Sequence, residues 1–278
     1  MGIPKSSGST ERAGKEGFPC RVATFITARM GSTRLPGKHM LPVQGRPIIE
    51  YLISRVKRAK EPGCVVLCTT TLREDDVLEE IAWRCGIPSF RGHPTDILLR
   101  WLKAAREYQV EFIVSAEADD VFTDPECIDL IVRDYRRTGA DYITCRGLPF
   151  GGTPTGIRVG ALQKVCDMKR EEDTEGQERF FTKTGLFRVE YIDVTDPGLR
   201  HPEIRMTLDY QEDYEFFREV ITRMEKGASA PLREIIAFLL RHPEIIEINQ
   251  GMQKIYEKRY KTKYGSIPSI GTGYKKGG

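Results

Sequence analysis

VATFIT at Val22–Thr27 runs straight into ARMGSTRLPGK at Ala28–Lys38. The first six residues are β-branched, aromatic or small and read as a buried strand. The loop that follows holds two glycines, a Pro-Gly turn and three cations, Arg29, Arg34 and Lys38. Glycine lets backbone N–H groups come close to an anion. Guanidinium and ammonium groups neutralise phosphate oxygens. On its residues alone the segment fits a polyphosphate cradle or an ordinary basic surface loop. It is not a Walker loop, which needs four residues between its glycines and then Lys-Ser/Thr. Here five residues separate Gly31 from Gly37, and His39 follows Lys38. The dinucleotide pattern GxGxxG is absent from the sequence.

Outward from this loop, helix-like and strand-like runs alternate. Arg46–Lys60 carries a helical apolar stripe at Ile48, Ile49, Leu52, Ile53 and Val56. Strands are expected at Cys64–Thr70, Ile87–Phe90, Phe112–Ala116 and Asp141–Cys145. Helices are expected at Asp75–Cys85, Pro94–Tyr108 and Pro125–Thr138, the last with proline in its first turn. The order predicts an α/β fold of three layers, a mainly parallel sheet with helices on both faces. A ligand should then sit at the carboxyl ends of the strands. The second half is less regular. Gly147–Gly156 reads as a loop, Ile157–Val159 as a strand leading to a short helix near Met168, and the polar stretch 169–179 as a mobile loop. Strands are expected at Phe187–Val194 and Ile204–Leu208, and helices at Gln211–Glu225 and Leu232–Leu240.

The chain has 278 residues, 40% hydrophobic and 30% charged, with a net charge of +3. That is ordinary for a globular protein. Seven basic residues and one acid fall from Lys254 onward, so the end carries +6 and the rest −3. A mildly acidic body argues against nucleic-acid binding, which needs clustered cations on the fold. Apolar runs such as Ile235–Leu240 are too short to span a bilayer. Seven scattered cysteines without a CxxC pair suit a reducing cytoplasm better than a disulfide framework. Three segments follow: a disordered leader at 1–19, one catalytic domain at 20–253, and a basic, flexible tail at 254–278. Tyr256, Tyr260, Tyr264 and Tyr274 are interleaved with the tail's cations.

Carboxylates supply candidate metal ligands. Asp119 follows the Phe112–Ala116 strand, and Glu117 shares its face if the extended path continues. Asp209 follows the expected Ile204–Leu208 strand, and reads either as a ligand or, with Glu212, as a capping box for the next helix. Asp213 reads as a solvated helix charge, and Asp75 and Asp76 as helix caps. Thr69–Thr71 ends a strand, where hydroxyls can meet a base or ribose. Four histidines show no metal-ligand spacing, and no GxSxG elbow is present in the sequence.

TARMGSTRLPGK, ending at Lys38, resembles the signature loop of the cytidylyltransferases that activate acidic sugars, most nearly their spore-coat polysaccharide branch. The likeness continues through Leu41–Ile48, Thr69–Thr71 with Asp75-Asp76, and Phe90-Arg91-Gly92 with Asp96, Leu98 and Arg100. It reappears at Ala118-Asp119 with Asp124-Pro125-Glu126, and at Leu208-Asp209 with Glu212-Asp213. The resemblance implies a Rossmann-like, GT-A-like nucleotidyltransferase fold and a homodimer. It implies CTP as co-substrate and Mg²⁺ held by Asp119 and Asp209, with no nucleic-acid or membrane partner. It places the nucleotide on Ala28, Arg29, Gly31, Ser32, Arg34, Lys38, Thr69, Thr70, Arg91 and Gly92. The catalytic set it implies is Arg29, Lys38, Asp119 and Asp209. CMP would pass to an acidic sugar, or to a phosphorylated or phosphonate acceptor, in activating a precursor of surface polysaccharide. Arg146, Arg158 and Arg179 are candidates for the acceptor's anionic group. The family often carries Arg-Glu-His-Val-Thr on its acceptor side, where this chain has Glu178-Arg179-Phe180-Phe181-Thr182. A metal-dependent glycosyltransferase and a non-catalytic nucleotide-binding module are the alternatives.

Overall fold

The computed structural model describes residues 20–270. In chain order its strands are β1 (Val22–Thr27), β2 (Pro42–Val43), β3 (Arg46–Pro47), β4 (Cys64–Thr70), β5 (Ser89–Gly92) and β6 (Phe112–Glu117). They continue with β7 (Tyr142–Arg146), β8 (Thr155–Arg158) and β9 (Val189–Asp193). The helices are α1 (Ile48–Val56), α2 (Asp76–Arg84), α3 (Ile97–Glu107), α4 (Pro125–Thr138) and α5 (Val159–Met168). They are followed by α6 (Glu178–Thr182), α7 (Gln211–Arg223), α8 (Leu232–Arg241), α9 (Pro243–Gln250) and α10 (Met252–Tyr264).

The main sheet has seven strands in the order β5-β4-β1-β6-β8-β7-β9, and β2 and β3 form a small hairpin. β1 pairs parallel with β4 and β6, and β8 runs against both its neighbours. Successive strand residues face opposite sides, as the period of two requires. Phe25 joins the core under α3, α5 and α6, and Ile26 the core under α1, α2, α4, α7 and α8. This is the expected three-layer α/β architecture.

Topology places the site. From β1 the chain builds outward to β4 and β5, then crosses back to lay β6 on the other side of β1. Thr27 and Glu117 are register partners at the two carboxyl ends. The loops leaving them diverge and open a crevice at this switch point.

Three expectations for the second half change. Ile204–Leu208 is extended but joins no sheet; it is tied to the 150 loop by a parallel bridge between Phe150 and Arg205. Residues 169–179 are held by ion pairs rather than left loose. Lys169 binds Asp96, Glu171 binds Arg179, and the Thr174 hydroxyl donates to Asp96 Oδ1 at 3.1 Å. Of the tail expected from 254, residues 254–264 are the greater part of helix α10. Its tyrosines at four-residue spacing pack in series, with ring centroids 5.9 Å and 5.3 Å apart, and Tyr256 meets Phe150 edge-on. Aromatic contacts and ion pairs do the work an aliphatic stripe usually does. The leader at 1–19 and the stretch with Tyr274 lie outside the described residues. Among the described residues, no helix is long and apolar enough to cross a membrane.

Candidate active site

The loop after β1 is anchored from below. Asp75 is fully buried, accepts from the Met30 N–H at 2.6 Å and binds the Thr70 hydroxyl. It sits at the N-cap position of α2 without making a cap bond, so its carboxylate fixes the loop instead of capping the helix. Gly37 has a left-handed φ of 65°, a conformation glycine adopts without steric cost. The turn drops Lys38 into the interior, while Leu35 plugs into the core.

Lys38 is the centre of the site. Its ammonium lies 2.6 Å from Asp119 Oδ2 and 3.2 Å from Asp209 Oδ1, and donates to Leu208 O at 2.8 Å. Asp119 arrives on the turn after β6. Asp209 arrives on the extended 204–208 segment, whose Leu208 N–H donates to Asp119 O at 2.9 Å. That backbone bond places the two aspartates side by side. Arg34 pairs with Asp209 Oδ1, and Arg205 reaches its Oδ2 at 3.4 Å. Arg205 is itself fixed by Asp213, at 2.8 and 2.9 Å. Asp213 is therefore fully buried rather than solvated. It also accepts from the Asp209 and Tyr210 N–H groups at 2.9 and 3.0 Å, the capping role the sequence assigned to Asp209 and Glu212.

The electrostatics divide the two aspartates. Burial pushes both carboxyls up. For Asp209, Lys38, Arg34 and Arg205 more than reverse this and hold it below its ordinary value. For Asp119, Lys38 offsets only part of the effect, Asp209 adds to it, and the carboxyl stays raised. Burial pulls the Lys38 ammonium down, but the two aspartates outweigh it and keep it charged. Burial, with Asp119 beside it, raises Glu117 to about 7, and the same causes raise Asp120 well above its usual range. Burial lowers His39 to about 3, so it stands neutral 3.7 Å from Asp119.

These groups line a cleft of about 670 Å³. Ala28, Arg29, Gly31, Ser32, Arg34, Lys38, Asp119 and Asp209 are all on its wall. Thr69, Thr70, Arg91 and Gly92 are not. Thr69 is buried, and Thr70 acts through Asp75. Arg91 staples the strand end, donating to Thr70 O at 2.9 Å and Leu72 O at 2.7 Å and pairing with Asp76. Gly92 leaves room for Arg100, whose Cγ would lie 2.7 Å from an added Cβ. Of the three acceptor candidates, none lines the cleft. Arg146 stacks on Tyr191, Arg158 pairs with Asp141, and Arg179 is buried against Glu171. α10 brings Tyr256, Arg259, Tyr260 and Lys263 into the cleft lining. The sequence carried that signal in tyrosines spaced by four, one helical face.

The donor set fits a divalent cation. Asp119 and Asp209 are hard oxygen donors flanking one ammonium, and Asp119 faces the cleft. Among the described residues no group of three or more His, Cys, Asp or Glu is placed to hold a metal alone. Mg²⁺ takes one or two carboxylates and fills its shell with phosphate and water, a number that Asp119 and Asp209 could supply.

Sheet order and crevice define the architecture, an α/β fold with its cleft at the switch point. A family model described as cytidylyltransferase matches residues 23–273. The chain belongs to the cytidylyltransferase family, and is a CTP-dependent nucleotidyltransferase. It is 28% identical over 231 residues to the spore coat polysaccharide biosynthesis protein SpsF of Bacillus subtilis, covering 80% of this chain and 95% of that one. It is 26% identical over 188 residues to a 3-deoxy-manno-octulosonate cytidylyltransferase of Trichlorobacter lovleyi, covering 63% and 68%. A solved cytidylyltransferase from Leptospira borgpetersenii superposes with a TM-score of 0.73 at 29% identity, covering 81% and 96%.

Proposed function

We propose that the protein transfers CMP from CTP to an oxygen of a small acidic or phosphorylated acceptor, in activating a precursor of surface polysaccharide or a related glycoconjugate. The observation that carries the reading is the meeting of Lys38, Asp119 and Asp209 at the switch point, beside a loop bearing Arg29 and Arg34. The name of the 3-deoxy-manno-octulosonate cytidylyltransferase supports an acidic sugar as acceptor, and that of the spore coat protein supports a place in polysaccharide biosynthesis.

The loop 28–38 receives the triphosphate. Arg29, Arg34 and Lys38 hold its oxygens and stabilise the charge that builds as the α-phosphorus is attacked. The acceptor oxygen forms the new bond to the α-phosphorus, and the bond to pyrophosphate breaks in line with it. Asp119 and Asp209 would hold Mg²⁺, which supplies a Lewis acid for the phosphate oxygens. Tyr256 and Arg259 on α10 form the acceptor wall, Arg259 matching an anionic group. The protein works as a homodimer in the cytoplasm; seven scattered cysteines without a CxxC pair support a reducing compartment.

Pyrophosphate release with Mg²⁺ and each of the four nucleoside triphosphates tests this, against pools of sugar acids, sugar phosphates, phosphonates and neutral sugars. Release is expected with CTP alone and only with an anionic pool. Release with a neutral pool would remove the acceptor class, and CTP binding without release from any pool would favour a binding module.

A further inference from the structure

Arg29 differs from the other two cations of the loop. Lys38 and Arg34 both pair with Asp209, which is 2% exposed, and Lys38 pairs also with Asp119. Arg29 pairs with Glu175, a carboxylate from the strap 169–177 that lies in the cleft lining. Both partners are partly open to solvent, with side chains 38% and 32% exposed. Such a pair is held weakly and exchanges easily. The other oxygen of Glu175 belongs to α10: it accepts from Tyr264 Oη at 2.6 Å and lies 3.2 Å from Lys263 Nζ. Glu175 therefore has a second set of partners that does not include the loop. The strap is shaped for this position. Gly176 adopts φ 72°, and a Cβ there would stand 2.9 Å from the Tyr264 ring.

A carboxylate on a polyphosphate loop stands where phosphate oxygens would compete with it. We infer that Glu175 is an exchangeable counter-ion of Arg29. The triphosphate takes Arg29 from Glu175 on binding, Glu175 remains on Lys263 and Tyr264, and it takes Arg29 back as pyrophosphate leaves. The exchange weakens CTP binding in return for release of pyrophosphate. The inference rests on the triphosphate reading of the loop given above.

The test is calorimetric binding of CTP, inorganic pyrophosphate and CMP, each with Mg²⁺, to the full chain and to Glu175→Gln. The variant should bind CTP and pyrophosphate on the order of tenfold more tightly, from loss of a competing like charge beside the phosphates. CMP affinity should stay within about twofold of the parent, since CMP lacks the phosphates that displace Glu175. In an Arg29→Gln background the gain should vanish, and thermal melting should show each variant folded. Equal or weaker CTP binding by Glu175→Gln would make Glu175 a positioning residue for Arg29 and overturn the exchange. So would an equal gain for CMP, or a gain that survives Arg29→Gln. A parent protein that binds neither CTP nor pyrophosphate would instead remove the triphosphate reading itself, and the exchange with it.

Discussion

Lys38 and Lys263 each bridge two carboxylates, and the bridges have nearly the same dimensions. Lys38 sits 2.6 and 3.2 Å from Asp119 and Asp209; Lys263 sits 3.0 and 3.2 Å from Asp173 and Glu175. The difference is solvent: the Lys38 side chain is 6% exposed and that of Lys263 is 43% exposed. Ion pairs out of water interact strongly and leave a costly unpaired charge when broken. Ion pairs in water are screened and exchange. One side of the cleft is thus a fixed electrostatic frame, and the other a strap of replaceable contacts. Part of the charge asymmetry of the chain finds an internal partner: Lys263 of the basic end pairs with Asp173 and Glu175 of the acidic stretch Glu171–Glu175.

The frame should show the larger effects. Arg205→Met removes a side chain that is 1% exposed and strands Asp213 in the interior. Urea unfolding should record a loss of about 3–5 kcal/mol. A loss below about 1 kcal/mol would mean the buried network carries no more weight than the strap. Asp119→Asn keeps the shape and removes the charge that faces the cleft. Turnover should fall by about 10²–10³-fold with the melting temperature little changed. Full activity in that variant would take Asp119 out of the chemistry and leave the frame a purely structural device.

The same contrast explains what was legible in the sequence. β1, its loop and the alternating elements from α1 through β7 could be read directly, but the β2–β3 hairpin was not read. Each element so read is a buried strand or a helix with an apolar stripe, whereas the strand order is seen only in the folded chain. Lys38 and Asp119 are brought together because the segments that carry them follow β1 and β6, neighbouring strands at the switch point. Asp209 was placed correctly beside an extended segment, yet that segment is not a sheet strand. Its bonds run to Phe150 and Asp119, far away in sequence. Asp213 was misread as a solvated charge because its partner Arg205 is met only in the folded chain. α10 was read as a loose tail because its packing face is aromatic and cationic. A pattern of apolar against polar residues does not register Tyr256, Tyr260 and Tyr264 as a packing stripe along the cleft.

The smallest effect is the most demanding test of the comparison. Lys263→Met removes the ammonium shared by Asp173 and Glu175, but both carboxylates keep access to water. Tyr264 Oη still donates to Glu175, and Arg29 still pairs with it. Stability measured by urea unfolding should change by less than about 1 kcal/mol. The change should shrink further in 1 M salt, where the screening length is about 3 Å. A loss of 3 kcal/mol that resists salt would mean that α10 and the strap are locked as firmly as the frame around Lys38. Glu175 could not then trade partners during turnover, and the two bridges would differ in exposure without differing in function.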